Sequence, residues 1–230
     1  MTSKLIAPAA FGTFGLVVLL GLGIWQVQRL TWKEAVLDRI DNVIANAPVE
    51  LPSQPNEAQH QFLAVTAAGT PLPGALKALT SIRGMGPGHR IVVPFEVENR
   101  RIMLDLGFLP DGSQLPDLPD SLTVEGNLHW PDDYDRLFTP DPEGDLWFAR
   151  QVDGMARALN AEALLLVARN IVPSPDGLLQ LPVDSSGIPN NHFQYAVTWF
   201  GLAAAWLAMT VYWMWKIAGP PGVRARRSVG

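Results

Sequence analysis

The chain has 230 residues, no cysteine, and 22 acidic against 17 basic side chains, for a formal charge of −5. Without thiols it can build neither a disulfide framework nor a thiolate metal site. The acidic balance argues against nucleic acid as a partner, which needs a basic footprint.

Residues 5–27 contain no Asp, Glu, Lys or Arg. As a helix rising 1.5 Å per residue they cover about 34 Å, against a hydrocarbon core of about 30 Å. The run exceeds the roughly 7 to 15 residues of a signal-peptide core, and no small-x-small cleavage site directly follows it. It leads instead into Trp25, Gln26, Arg29, Trp32 and Lys33, a flank suited to a membrane interface. These features predict an uncleaved first transmembrane helix. The absence of an Arg- and Ser-rich amphipathic leader favours a bacterial inner membrane over a mitochondrial one.

Over residues 31–44 the apolar Trp32, Val36, Leu37, Ile40 and Ile44 recur at helical spacing, so the first helix should continue outward until Pro48 and Pro52. Apolar, β-rich runs follow at 61–67, 90–97, 101–108, 122–128 and 164–170, bounded by Gly and Pro. Asn99 and Arg100 should turn a hairpin, 109–119 and 131–144 read as loops, and 151–159 as one short helix. The expected fold class is α+β: an antiparallel sheet or small barrel with short helices, occupying 28–194 between two terminal transmembrane helices.

Chemistry is sparse in this middle section. Asp132, Asp133 and Asp135 lack the glycine and closing glutamate of a calcium loop and read as a solvated acidic turn. Gly84, Gly86 and Gly88 precede neither a lysine nor a helix start, so they read as a turn leading into a strand. No nucleophile, base and orienting group assemble at any spacing, and no enzyme is expected.

Residues 195–217 form a second span, uncharged until Lys216 near its end. All 22 carboxylates lie between Glu34 and Asp184, while Lys4, Lys216, Arg224, Arg226 and Arg227 flank the chain ends. Basic flanks stay cytoplasmic, which predicts both termini inside, a periplasmic central domain and a basic cytoplasmic tail over 218–230. His192, Trp199, Trp206 and Trp213 are spaced by seven, drifting about 20° per step on a helix, with Tyr195 beside His192. Interfacial aromatic belts account for Tyr195, Trp199, Tyr212, Trp213 and Trp215. Trp206 lies about 16 Å inward from Tyr195, so it should face a partner or ligand.

On the other side of that helix, Gly201, Ala204, Ala205 and Ala208 should admit the first span closely. The outer ends would then gather Trp25, Arg29, His192, Tyr195 and Trp199 into a shallow site. Such a set could hold haem, with imidazole on the iron, aromatic walls, and Arg29 on a propionate. The competing reading of Asn190, Asn191 and His192 is an ordinary helix start.

The segments GLGIWQVQRLTWKEAVLDRIDN (21–42) and NNHFQYAVTWFGLA (190–203) together resemble the Surfeit locus protein 1 family. The resemblance continues through NAPVELP (46–52), GPGHRIVVPFEV (86–97), LDLGFLP (104–110), VEGNLHWP (124–131) and LWFARQVDGMA (146–156), nearly the whole chain. Leu106 and Phe108 stand where the family commonly has an arginine and a tryptophan. The resemblance implies a cytochrome c oxidase assembly factor of bacterial type, with two terminal spans in membrane lipid around one extracytoplasmic domain. It further implies transient binding of haem a and its delivery to the catalytic subunit of the oxidase, alongside the haem a synthase. His192 is then the candidate axial ligand of the haem iron. The rival expectation is a scaffold that stabilises oxidase assembly intermediates without binding haem.

Overall fold

The computed structural model describes residues 3–218, so Arg224, Arg226 and Arg227 of the basic tail lie outside the described residues. In chain order the elements are α1 (Ser3–Ala45), β1 (Val49–Glu50), α2 (Glu57–His60), β2 (Ala64–Pro71), β3 (Leu76–Ile82), β4 (Gly86–Val97) and β5 (Arg100–Pro110). Then follow β6 (Leu122–His129), β7 (Leu146–Trp147), α3 (Val152–Leu159), β8 (Leu165–Val172) and α4 (His192–Ala218). The molecule divides into two units, one built from the chain ends (to residue 38 and from 186) and one from residues 39–185.

The first unit is a helix pair. Both α1 and α4 are long and apolar enough to cross a membrane. Their outward faces expose Phe14, Val17, Ile24, Phe193, Val197 and Met209, the arrangement stable where the surroundings are themselves apolar. As its apolar spacing predicts, α1 continues unbroken to Ala45.

In the second unit the barrel, rather than the open sheet, is found. Strands β2, β6, β8, β5 and β4 follow one another, and β2 closes back on β4 through the pairs Thr70↔Glu96 and Pro71↔Phe95. Among the barrel strands one pairing departs from the antiparallel expectation: β8 runs parallel to β5, with Met103↔Leu165 and Asp105↔Val167, and at the margins the short β1 and β7 also run parallel to β2 and β3. The chain between β5 and β8, with α3 in it, is long enough for the crossover that parallel pairing requires.

Alternation sorts the side chains. Ile91, Val93, Phe95, Val97, Ile102, Leu104, Leu166 and Ala168 fill the barrel. Their neighbours Val92, Met103, Leu165 and Val167 face the other way, onto Val152, Met155, Ala156 and Leu159 of α3. Strands β4, β5 and β8 are thus buried on both faces, which is why they read as nearly continuous apolar runs.

Two bulges shape this barrel. On β5 the register passes from Ile91↔Gly107 to Val92↔Asp105, leaving Leu106 as the extra residue. Leu106 is fully buried in the barrel core, so an apolar side chain suits the position where the family commonly has arginine. Gly107 has φ +106° and lies against Leu179 O, where a Cβ has no room. Buried Asp105 secures the bulge, accepting Gly107 N–H at 2.9 Å with one oxygen and pairing with Arg90 Nε at 2.6 Å with the other. The β4–β5 turn falls on Glu98 and Asn99 (φ +48° and +65°), one residue earlier than expected.

Candidate functional site

Along α1 and α4 the protected residues recur in steps of four and three. On α4 they are His192, Ala196, Trp199, Ala203, Trp206 and Thr210, and on α1 Pro8, Gly12, Gly15, Leu19, Gly23 and Gln26. A step averaging near 3.5 residues keeps one seam of each helix turned towards the other. Trp206 meets a partner, as its depth suggests: its Nε1 donates to Gly12 O at 2.9 Å, and its ring lies 5.3 Å from that of Phe11.

The expected close face is corrected. Gly201, Ala204, Ala205 and Ala208 of α4 are exposed, and a Cβ built on Gly201 would meet nothing within 4 Å. The small residues that admit the partner are on α1 instead. A Cβ on Gly15 would come within 2.5 Å of the Trp206 ring, and one on Gly23 within 2.8 Å of the Phe200 ring. Large rings on α4 need their room opposite them, so glycine is required on the facing helix.

At one end of the seam His192 opens α4, half-buried, and its Nδ1 is hydrogen-bonded to Gln26 Oε1 at 2.8 Å. Gln26 is only 8% exposed, although it is a polar side chain in a helix otherwise facing apolar surroundings. Trp199 is half-buried on the same seam, one heptad along. Tyr195 and Trp25 are about half exposed, at 54% and 50%. Arg29 is exposed and lays its guanidinium over the ring of Trp32, 4.8 Å from the centroid. The structure therefore joins Gln26 to His192, keeps Trp199 beside the seam, and turns Trp25, Arg29 and Tyr195 outward. An apolar groove of about 410 Å³ beside Phe11, Trp206 and Trp213 opens further along the seam, with no imidazole in its wall.

The other three histidines belong to the second unit, on α2, β4 and β6. His129 on β6 stacks on Phe62 with centroids 5.3 Å apart, and its Nδ1 lies 3.4 Å from Gln61 Nε2. Burial first, then the nearby guanidinium of Arg150, lower its pKa to about 4. The acidic run leads into a turn at 136–138: Asp133 pairs with Arg150 Nε at 2.6 Å, and Asp135 Oδ1 accepts Leu137 N–H at 2.8 Å.

Sequence reasoning named Gln26 only as part of an interfacial flank, with no site role, and did not single out two residues that hold the end of α1. Asn127 Nδ2 donates to Ile44 O at 3.0 Å and Arg169 Nη1 to the same oxygen at 3.3 Å, satisfying a carbonyl that the ending helix leaves open. Arg169 is the extra residue of a bulge, since the register passes from Glu125↔Asn170 to Gly126↔Ala168.

Known proteins resemble the chain over most of its length. The chain is 27% identical to Surfeit locus protein 1 of Homo sapiens over 237 residues, covering 90% of this chain and 77% of the human one. It is 26% identical to the SURF1-like protein of Monosiga brevicollis, over 91% of this chain and 88% of that one. A further SURF1-like protein, from Rickettsia bellii, is 26% identical over 87% of each chain. The model of the SURF1 family matches residues 13–204, which take in the whole barrel and part of each helix of the seam, and the chain belongs to that family.

Proposed function

We propose that this protein is an assembly factor for cytochrome c oxidase that takes up haem a at the end of its helix pair and assists its insertion into the catalytic subunit. Family membership supports the oxidase-assembly part. The observation that carries the haem part is His192: the only histidine of the helical unit, half-buried at the start of α4 and tied to α1 by Gln26. A neutral imidazole is a fitting axial donor for haem iron. Trp199 and Tyr195 would supply apolar ring surface for the macrocycle, with Trp25 and Arg29 at the margin for its polar edge. When bound, haem a supplies iron for ligation and a broad apolar face that favours a site shielded from water. The haem a synthase and the oxidase catalytic subunit are the donor and acceptor in this reading.

The protein sits, in the same proposal, in a bacterial inner membrane with both termini cytoplasmic and residues 28–194 in the periplasm. The complete segregation of carboxylates between Glu34 and Asp184 supports that orientation. A scaffold without cofactor is the second reading, because an interhelical hydrogen bond also serves as simple glue in a membrane. His192→Ala decides between them. In membranes that make haem a, the purified wild-type protein should carry haem and the variant should lose most of it. Equal haem in both, or none in either, removes His192 as ligand.

A further inference from the structure

We infer that Gln26 is a positioning residue, which holds His192 in the tautomer protonated at Nδ1 and leaves Nε2 as the nitrogen free to meet a metal. The geometry stands by itself; its purpose rests on the haem reading given above. Gln26 Oε1 lies 2.8 Å from His192 Nδ1. An amide oxygen only accepts, so the hydrogen in this bond is carried by Nδ1. A neutral imidazole has one ring hydrogen, and Nε2 therefore keeps its lone pair.

Two features make the arrangement stiff. Gln26 is 8% exposed, so little water competes for its oxygen. Three residues before it, Gly23 admits the Phe200 ring where a Cβ would come within 2.8 Å, which sets how closely the two helices approach. Metal-bound imidazoles nearly always give their other N–H to an acceptor, which fixes the ring and tunes its basicity. Here the acceptor is a neutral amide rather than a carboxylate. It orients the ring without pushing it towards imidazolate, a property suited to a ligand that must later release its metal.

The test uses the full chain in detergent. Without haem, nitrogen-15 spectra of histidine-labelled protein should show His192 protonated at Nδ1. Gln26→Glu should preserve that form, whereas Gln26→Leu, of similar volume, should shift His192 towards protonation at Nε2. Wild-type His192 protonated at Nε2 would overturn the assignment whether or not haem binds. Loaded with haem a, the Glu variant should have a lower reduction potential than wild type and the Leu variant a higher one, with several-fold weaker retention. Identical potentials in all three would reduce Gln26 to an interhelical tie and overturn the positioning role. A wild-type protein with the expected tautomer but no haem would sink the haem reading alone.

Discussion

His129 and His192 each meet a glutamine, and the two amides are turned opposite ways. Gln61 presents Nε2 to His129 Nδ1, while its own oxygen accepts Trp130 N–H at 2.8 Å. Burial of His129, then the nearby Arg150 guanidinium, favour the neutral ring and lower its pKa from 6.5 to about 4, with Nδ1 facing the Gln61 amide. The sign follows from proton binding. As pH drops below 6.5 the unfolded chain takes up the proton before the folded one does. Stability from this group is therefore complete above 6.5 and is lost progressively towards pH 4. The full shift corresponds to roughly 3 kcal/mol. Urea unfolding of wild type and His129→Asn at pH 7 and pH 4.5 should show the wild type losing more stability than the variant. Equal losses would mean that His129 titrates alike in both states.

Among the elements, the helix pair gives the sharpest contrast between positions of one residue type. Gly15 faces the Trp206 ring, whereas a Cβ on Gly21 meets nothing within 4 Å. Replacing either by leucine gains about 1 kcal/mol of helix propensity. At Gly15 the added side chain also displaces Trp206 and its bond to Gly12 O, and overpacking of this kind costs about 1–3 kcal/mol. Thermal unfolding followed by tryptophan fluorescence should therefore show Gly15→Leu destabilised and Gly21→Leu unchanged or stabilised. A reversed order would mean that α1 packs through another face.

The same contrast explains what was legible in the sequence. Both spans stood out through missing charge, and the seam through its step of seven, because each is a property of one helix. Which glycines matter depends on rings carried by the facing helix, and no spacing on either chain segment reveals it. Strands β4, β5, β6 and β8 were visible as apolar runs. Strand β3 was not, because only Leu76 and Ala78 of it are buried while Lys77, Thr80 and Ser81 mask the pattern. At the site, Trp25 and Arg29 drew attention as an aromatic and a charge, yet both are exposed. Gln26, between them, looked like one more interfacial polar residue. Arg169 was hidden because a bulge shifts the period of two that strand reading relies on.

For the molecule as a whole, orientation can be measured directly. Alkaline phosphatase fused after Asp120 should be active, and the same fusion at the C-terminus inactive; the opposite pattern would refute a periplasmic barrel. The division into units has another consequence. One unit is made from both ends of the chain and the other from its middle, so the chain passes from one to the other twice. Among the described residues the most exposed large apolar side chains, Leu137 at 85% and Phe138 at 82%, lie in the connection between β6 and β7, where a protease would find the backbone first. A cut there parts the chain into a piece with α1 and β1 to β6, and a piece with β7, α3, β8 and α4. The pieces remain joined within both units, through the α1–α4 seam in one and through β8 held between β6 and β5, with β7 on β3, in the other. The protein is thus latched twice, and breaking one peptide bond in this exposed stretch releases neither half.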